Sequence, residues 1–336
     1  MRTTLRTLAI GATGSVVAIF LSFPLAPLLG AVFATTAARQ VGLDLSVDHR
    51  LRRIMHIILG VCLGARMPPD TLERISDWGF SLAAIPIFIV AGLVLGALYL
   101  RRIAGYDPMT SAFGAMPGGL LVMMTMGEQS GGRGDTILFT HALRVMLAVT
   151  VIPFVLIGIG APTGGFSAEQ ISFVDLTIAL AAGATGSFAA RLVRFPASDV
   201  MGSMLTASAL YMSGAVSGAP PFLLFAAALM VSGAGLGSTM ERLKGRETFV
   251  MVGHTAVLFV LLCAMALLTA EVVHLAADVP LVTAFLAFAP GGLVEMSAVA
   301  LAMDLDASYV AVHHAIRVLL CSIFGMAIAA WLRQRG

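Results

Sequence analysis

Long apolar runs separated by short polar stretches make up most of this chain. Each half contains six of them. They cover 8–22, 24–38, 54–66, 79–100, 109–126 and 136–159, then 176–190, 196–217, 221–239, 248–275, 282–303 and 308–332. A helix needs about 20 apolar residues to cross a bilayer, so 24–38 and 54–66 are short for full spans. The pattern predicts an all-α polytopic membrane protein.

The two sets of runs are copies of one another. The letters GATGS at 11–15 return at 183–187, and HALRVML at 141–147 returns as HAIRVLL at 314–320. Between 115–147 and 288–320 there are ten identities, which include Pro, Gly-Gly, His and Arg. Apolar composition alone would not produce those matches. The sequence therefore predicts a first membrane repeat at 1–160, a connecting loop at 161–175 and a second repeat at 176–336.

The fifth run of each repeat contains a helix-breaking motif. Pro117, Gly118 and Gly119 interrupt 109–126, and Pro290, Gly291 and Gly292 interrupt 282–303. Proline removes a backbone donor and Gly-Gly loosens the helix, so backbone groups are left unpaired at membrane depth. Such backbone persists only where protein or trapped water covers it. We therefore expect a broken, re-entrant segment in each repeat, with a substrate or ion site where the two breaks approach each other.

Composition and charge support a membrane protein and indicate its topology. Hydrophobic residues make up 59% of the chain and charged residues 11%, against about 25% charged in soluble domains. If all twelve runs span, ten Lys and Arg lie on the cytoplasmic side and eight outside. If both broken segments enter the membrane and return to the same side, sixteen lie on the cytoplasmic side and two outside. Cytoplasmic loops are enriched in Lys and Arg. The second arrangement has five spans per repeat, so the second repeat is inverted and both termini are cytoplasmic.

Ionisable residues inside the apolar runs are the candidate site residues. Glu295 lies in the first turn after the second break, where it could serve as a functional carboxyl or only as a capping group. His141 and Arg144 share one helix face, as do His314 and Arg317. A buried arginine needs Glu295, backbone carbonyls of the broken helix or an anionic substrate as its partner. The alternative is an arginine that extends to the membrane interface.

The paired blocks PGGLLVMM…HALRVML and PGGLVEM…HHAIRVLL resemble the bacterial AbrB-duplication family of membrane proteins over nearly the entire chain. Members are catalogued as ammonia monooxygenases or as AbrB-family regulators. The resemblance implies inverted repeats with crossing broken helices, similar to cation/proton antiporter and anion transporter folds. Family members tend to carry PGGL-x-E-M in both halves. Here Val122 stands where the second repeat has Glu295, so only one carboxyl is expected at this motif.

These observations favour a secondary transporter of a small solute, with anions among the candidates, in the bacterial inner membrane. Glu295 would carry the coupling proton or cation, and the two His–Arg pairs would bind the substrate. A membrane sensor is the alternative, and monooxygenase chemistry lacks support from the spacing of metal ligands. We expect the lipid bilayer and a small molecule or ion as partners, no nucleic acid, no cofactor, no metal, and a homodimer by analogy with such architectures.

Overall fold

The computed structural model of this protein describes residues 2–67, 71–160, 170–195, 197–240, 242, 243 and 245–333. Its regular structure is α-helical, apart from an isolated bridge between Gln170 and Ala219. The helices are α1 Arg2–Phe20, α2 Ala26–Gln40, α3 His49–Gly64, α4 Thr71–Asp77, α5 Gly79–Arg102, α6 Pro108–Ala115, α7 Leu120–Gln129, α8 Gly134–Gly158, α9 Phe173–Leu192, α10 Ser198–Met212, α11 Phe222–Ser238, α12 Gly245–Ala277, α13 Leu281–Phe288, α14 Leu293–Ala302 and α15 Ala307–Arg333.

The all-α polytopic architecture predicted from the sequence is confirmed. Every predicted apolar run forms one helix or a pair of half-helices, and only the short α4 was not expected. Among the described residues six helices are long and apolar enough to cross a membrane: α1, α5, α8, α9, α12 and α15. The short runs at 24–38 and 54–66 become α2 and α3, with 15 and 16 residues.

Both Pro-Gly-Gly motifs break their helices, as predicted. The first break separates α6 from α7 and the second separates α13 from α14. Helix α6 begins at Pro108, where Asp107 accepts a hydrogen bond from the Thr110 amide at 2.8 Å, and it ends before Met116 turns to an extended conformation. Proline at the first helical position and a capping aspartate are typical helix starts. Local sequence therefore fixes both ends of this half-helix.

The chain folds into two compact units, and each unit takes corresponding helices from both repeats. Unit 1 comprises Met1–Ser76, Pro153–Arg242 and Ser297–Ala311, and unit 2 comprises Asp77–Ile152, Leu243–Met296 and Val312–Gly336. Unit 1 thus holds α1–α3 with their counterparts α9–α11, and unit 2 holds α5–α7 with α12 and α13. The division at 161–175 describes the duplication along the chain and stays a prediction, since most of that connection lies outside the described residues.

Glycines in the GATGS motifs bring helices of unit 1 into backbone contact. A Cβ added to Gly14 would lie 2.2 Å from the carbonyl oxygen of Gly30, so α1 and α2 meet there without side chains between them. In the second repeat, a Cβ on Gly186 would lie 2.3 Å from the carbonyl oxygen of Gly202. Small residues permit such close approach in membrane helices. The GATGS motif therefore serves helix packing in both repeats.

A second pair of corresponding glycines, Gly60 and Gly233, packs one repeat against the other. A Cβ on Gly60 of α3 would lie 2.5 Å from the Val200 carbonyl oxygen of α10. A Cβ on its counterpart, Gly233 of α11, would lie 2.5 Å from the Leu28 carbonyl oxygen of α2. Both contacts are backbone to backbone. Each of these helix contacts in unit 1 therefore occurs twice, as expected when two duplicated halves pack against each other.

Two polar contacts within unit 1 distinguish the two topologies considered above. Arg242 donates to the Gly42 carbonyl oxygen, and the Arg53 guanidinium lies 3.7 Å from the Asp199 carboxylate. In the arrangement with twelve spans, each contact would join opposite sides of the membrane. In the arrangement with ten spans and two re-entrant segments, each contact joins ends on the same side. The contacts therefore fit an odd number of spans in the first repeat, and which segment of each repeat does not span stays a prediction.

Capping also defines helix ends outside the membrane-spanning segments. Helix α3 begins after Asp48, whose side chain accepts hydrogen bonds from the amides of Arg50 at 2.8 Å and Leu51 at 3.3 Å. These backbone hydrogen bonds favour the ionised carboxylate and hold the pKa of Asp48 below its usual value. An aspartate at this position satisfies amides that the helix itself leaves unpaired.

Candidate functional site

In the first repeat, a buried His–Arg pair binds the end of the half-helix α6. His141 and Arg144 lie one turn apart on α8 and are 1% and 2% exposed. The Nε2 atom of His141 lies 2.9 Å from the Phe113 carbonyl oxygen, and its Nδ1 lies 3.0 Å from an Arg144 Nη2. Arg144 also directs Nη1 to the Met116 carbonyl oxygen at 3.4 Å. The pair thus contacts carbonyls just before the first break.

The second repeat builds the corresponding arrangement on α13, with one additional contact to a carbonyl. The Nε2 atom of His314 lies 2.9 Å from the Leu286 carbonyl oxygen, and its Nδ1 lies 2.9 Å from Nη2 of Arg317. Arg317 donates to the carbonyl oxygens of Ala289 and Gly291, each at 2.6 Å. Histidine and arginine are 0% and 3% exposed. The duplication therefore preserves a three-dimensional site as well as a motif.

The hydrogen bonds determine the tautomer of both histidines. A guanidinium group only donates hydrogen bonds, so Nδ1 of His141 and of His314 must accept. In a neutral imidazole the other nitrogen then carries the proton, and Nε2 donates to the backbone carbonyl. Each histidine therefore holds a carbonyl of the half-helix with one nitrogen and orients its arginine with the other.

The two arginines bind backbone carbonyls that the breaks leave unpaired. The last carbonyls of α6 and α13 have no partners within the helix, and the C-terminal end of a helix carries partial negative charge. Arg144 and Arg317 supply donors and positive charge at those ends. Both side chains are buried, so neither extends to a membrane interface. Of the partners considered from sequence, the backbone carbonyls are the ones present.

The two arginines are not equally satisfied. Arg317 makes two short bonds to carbonyls, whereas Arg144 makes a single long one and has no bond to Gly118, the counterpart of Gly291. The buried Nε atoms of both arginines have no hydrogen-bond partner. The two guanidinium groups also interact electrostatically with each other, as like charges within one unit. Arg144 therefore has the larger number of unused donors.

Glu295 occupies the start of the second half-helix after the second break. Its carboxyl group curls back over Gly292, where a Cβ would lie 2.0 Å from the glutamate Oε2, and it accepts a hydrogen bond from its own amide. The residue is partly exposed. Its counterpart Val122 in α7 leaves that helix start without any carboxyl group, and Gly119 at the cap provides no side-chain bond. The positive end of a half-helix favours a carboxylate, so the two starts differ in charge.

The remaining glycines of the breaks make room for methionine. A Cβ on Gly118 would lie 2.8 Å from the Met123 sulfur, and a Cβ on Gly291 would lie 2.7 Å from the Met296 sulfur. Met123 and Met296 are both fully buried. Pro117 and Pro290, which precede these glycines, are also buried. All eleven predicted site residues thus lie in unit 2, at or beside the two breaks.

Neither arginine is neutralised by protein among the residues that the structure describes. The ion pairs in those ranges involve Arg39, Arg53, Arg74 and Arg191, all in unit 1. Nor do the described residues contain a group of three or more His, Cys, Asp or Glu placed to hold a metal ion. The two buried guanidinium groups therefore form a positive site at the breaks.

His313 belongs to a different environment from its neighbour His314. It is 0% exposed, its Nε2 lies 2.8 Å from Ser81 Oγ, and its ring contacts Phe288 and Trp78 at centroid distances of 6.0 and 6.2 Å. Ser81 in turn donates to the Trp78 carbonyl oxygen at 2.9 Å. This residue joins α5 to α15 in an aromatic cluster, which agrees with a structural role.

The sequence did not indicate an apolar cavity of about 910 Å³ in unit 1. Its lining includes Ile19, Pro27 and Ala226. At the corresponding positions the other repeat carries Arg191, Asp199 and Arg53, which form an ion cluster with distances of 3.6 and 3.7 Å. The cavity is assembled from four separate chain segments, so no local pattern could predict it. The two pseudo-equivalent ends of unit 1 differ in polarity, with the charged end on the predicted cytoplasmic side.

Comparison with known proteins agrees with the resemblance seen in the motifs. The family described as "Transition state regulatory protein AbrB" matches residues 27–333. An uncharacterized protein of Bacillus subtilis (strain 168), YhjN, is 30% identical over 295 residues, which cover 82% of this chain and 76% of the relative. The family match includes both breaks and both His–Arg pairs. This membrane-like, all-helical chain therefore belongs to the AbrB family.

Proposed function

We propose that this protein is a secondary transporter of a small solute, working by alternating access at the two Pro-Gly-Gly breaks. The observation that carries the proposal is the pair of broken helices in unit 2, each held by a buried His–Arg pair. Buried charge at membrane depth is costly and usually serves a ligand or ion pathway. Inverted repeats with interrupted helices are the usual architecture for such pathways.

In this proposal each part of the site has its own task. Pro117, Gly118 and Gly119, with their counterparts Pro290, Gly291 and Gly292, open the helices so that backbone amides and carbonyls line the site. His141 and His314 orient the arginines and keep the breaks in shape. Arg144 and Arg317 provide the positive charge that an anionic solute requires. Glu295 carries the coupling proton or cation, since it is the carboxyl group placed at a break and retains accessible surface.

The test is ion-coupled flux through the purified protein in proteoliposomes. With a pH-sensitive dye inside the vesicles, succinate, sulfate and methylammonium would be supplied in turn under an imposed pH gradient. We expect solute-dependent proton movement in the wild-type protein. Glu295→Gln should remove that movement while leaving the protein folded, because the amide keeps the size of the side chain but cannot exchange a proton.

A matched control is Glu128→Gln, which removes an exposed carboxyl group at the other end of α7. It should retain coupled flux. Full coupled flux in Glu295→Gln would remove Glu295 from the mechanism. Absence of flux for every solute in wild-type vesicles, with the protein correctly inserted, would contradict the transport proposal.

A regulatory role is the second candidate, because the matching family is described as a regulatory protein. In that case the same positive site would bind a small ligand and change the state of the protein without moving the ligand across the membrane. Ligand binding measured on the solubilised protein, together with zero flux in vesicles, would favour this reading over transport.

A further inference from the structure

The apolar cavity of unit 1 has the size and the lining of a ligand site. Its walls come from the turn between α1 and α2, the end of α8, the start of α11 and the end of α14. Among the described residues that line it none is ionisable, and Ser22 carries the one side-chain hydroxyl. Its volume of about 910 Å³ lies within the range of about 300–1,000 Å³ that is usual for ligand pockets. An apolar ligand therefore suits it best.

The duplication shows that this apolar character belongs to one end of unit 1 only. Four lining residues at the start of α11 take the places of basic or titratable residues at the start of α3: Phe222, Leu223, Phe225 and Ala226 correspond to His49, Arg50, Arg52 and Arg53. The equivalent end of unit 1 thus carries charge where the cavity carries alkyl and aromatic groups. Burial of an unpaired charge is costly. A ligand that enters the cavity must therefore keep any charged group outside it.

Contacts behind the lining hold the cavity open. The Phe23 ring packs edge-on against Phe154 of α8 at a centroid distance of 5.4 Å. Ser15 of α1 donates to the Pro27 carbonyl oxygen at 2.8 Å, which fixes the turn between α1 and α2. Apolar cavities of this kind stay dry, and their walls lack dispersion contacts until an apolar group fills them.

The cavity combines a buried interior with an exposed apolar rim. Phe225, Leu229 and Val299 are 1%, 1% and 0% exposed, whereas Ile19 and Leu223 are 58% and 78% exposed. Exposed apolar surface of this kind marks contact with a membrane or a partner. In a chain whose solvent is lipid, such a rim opens toward hydrocarbon. In the ten-span arrangement all four lining segments lie at the outer side of the membrane.

We propose that this cavity binds one acyl chain of a membrane phospholipid, whose headgroup stays at the outer interface. The bilayer supplies such chains at the rim, and the chain fills the apolar volume that the four segments leave. Because the lining offers no charged group, binding depends on the chain and is indifferent to the charge of the headgroup. The site lies in unit 1, whereas the breaks belong to unit 2, so the inference does not rest on transport.

The experiment is photolabelling of the full-length protein in phosphatidylcholine vesicles. The probe is a phosphatidylcholine with a diazirine at the end of one acyl chain, and labelled peptides are identified by mass spectrometry. We expect labelling to concentrate in 19–27 and 222–229 and to saturate as the probe fraction rises. Lipid that only surrounds the protein would label all exposed helices in proportion to the probe. Phosphatidylglycerol with the same chain should label the same peptides equally.

Two variants fill the cavity from different walls. Ala226→Phe on α11 and Ala302→Phe on α14 should each lose most of this labelling, because the added ring occupies the place of the chain. Ala184→Phe adds the same ring at an exposed position of α9 in unit 1 and should keep it. Gel filtration shows which variants are folded, and either filling variant alone is sufficient for the test.

Uniform, non-saturating labelling of the wild-type protein would overturn the inference. Unchanged labelling of a folded filling variant would do the same. Labelling that requires the anionic headgroup would show that the chain does not drive binding. A free fatty acid with the same diazirine is the last probe: labelling by it, with none by either phospholipid, would refute the phospholipid as occupant.

Discussion

At the scale of single residues, Arg144 and Arg317 show how one motif acquires two different energetic roles. Both are buried, both are oriented by a neutral histidine, and both face the end of a half-helix. Arg317 completes the hydrogen bonding of its break through two carbonyls, whereas Arg144 retains spare donors. The break of the second repeat is therefore the more completely hydrogen-bonded of the two.

This difference makes a direct prediction for stability. Arg317→Gln should reduce the free energy of unfolding more than Arg144→Gln, by about 1–3 kcal/mol for each carbonyl left without a donor. Either substitution removes the same repulsion between the two guanidinium groups, so that contribution cancels in the comparison. Thermal unfolding in detergent without ligand measures the difference. A larger loss of unfolding free energy in Arg144→Gln than in Arg317→Gln would contradict this prediction.

At the scale of helices, close backbone contacts determine which residues can be changed. Gly14→Ala and Gly186→Ala should each lower stability by about 1–3 kcal/mol, because the new methyl group meets a backbone carbonyl that cannot turn away. Gly253→Ala in α12 is the control, since a Cβ there meets nothing within 4 Å. Unfolding temperatures of the three variants in one detergent would test this. Equal effects at Gly14 and Gly253 would argue against the contact.

The start of α15 offers a second prediction at this scale. Asp306 accepts a hydrogen bond from the Tyr309 amide at 3.0 Å and pairs with Arg74 at 2.6 Å, both within unit 1. Asp306→Asn keeps a good cap and loses only a partly exposed ion pair, so it should cost about 0–1 kcal/mol. Asp306→Ala loses the cap as well and should cost about 0.5–2 kcal/mol more. Similar melting temperatures for the two variants would show that the cap contributes little.

At the scale of the whole molecule, the inverted topology predicts which side of the membrane each loop faces. Ser46 and Ser217 are both exposed, and the ten-span arrangement puts Ser46 in the cytoplasm and Ser217 outside. Cells that express Ser217→Cys should react with a membrane-impermeant maleimide while intact. Ser46→Cys should react only after permeabilisation. Cys62 and Cys321 are buried and Cys263 is only partly accessible, so the unaltered protein gives the background. Reaction of Ser46→Cys in intact cells would refute this orientation.

The sequence predicted much of the fold and the composition of the site, for identifiable reasons. Pro290 and the two glycines after it restrict the backbone locally, so the break could be placed without any knowledge of the tertiary structure. His314 and Arg317 share a helix face by spacing alone. Their partners, the carbonyls of Leu286 and Ala289, are 28 residues away, so only packing could select them over Glu295 or an anion.

The composition of the compact units could not be predicted for the same reason. The chain duplicates as two consecutive halves, yet Gly233 of the second half packs on Leu28 of the first, and each unit combines both. The sequence alone determined that the chain lies in an apolar solvent, that it is duplicated, and where both breaks occur. It could do so because hydrophobicity and backbone restriction act along the chain. Only the tertiary structure decided which atoms satisfy each arginine, because these contacts depend on groups that meet in space.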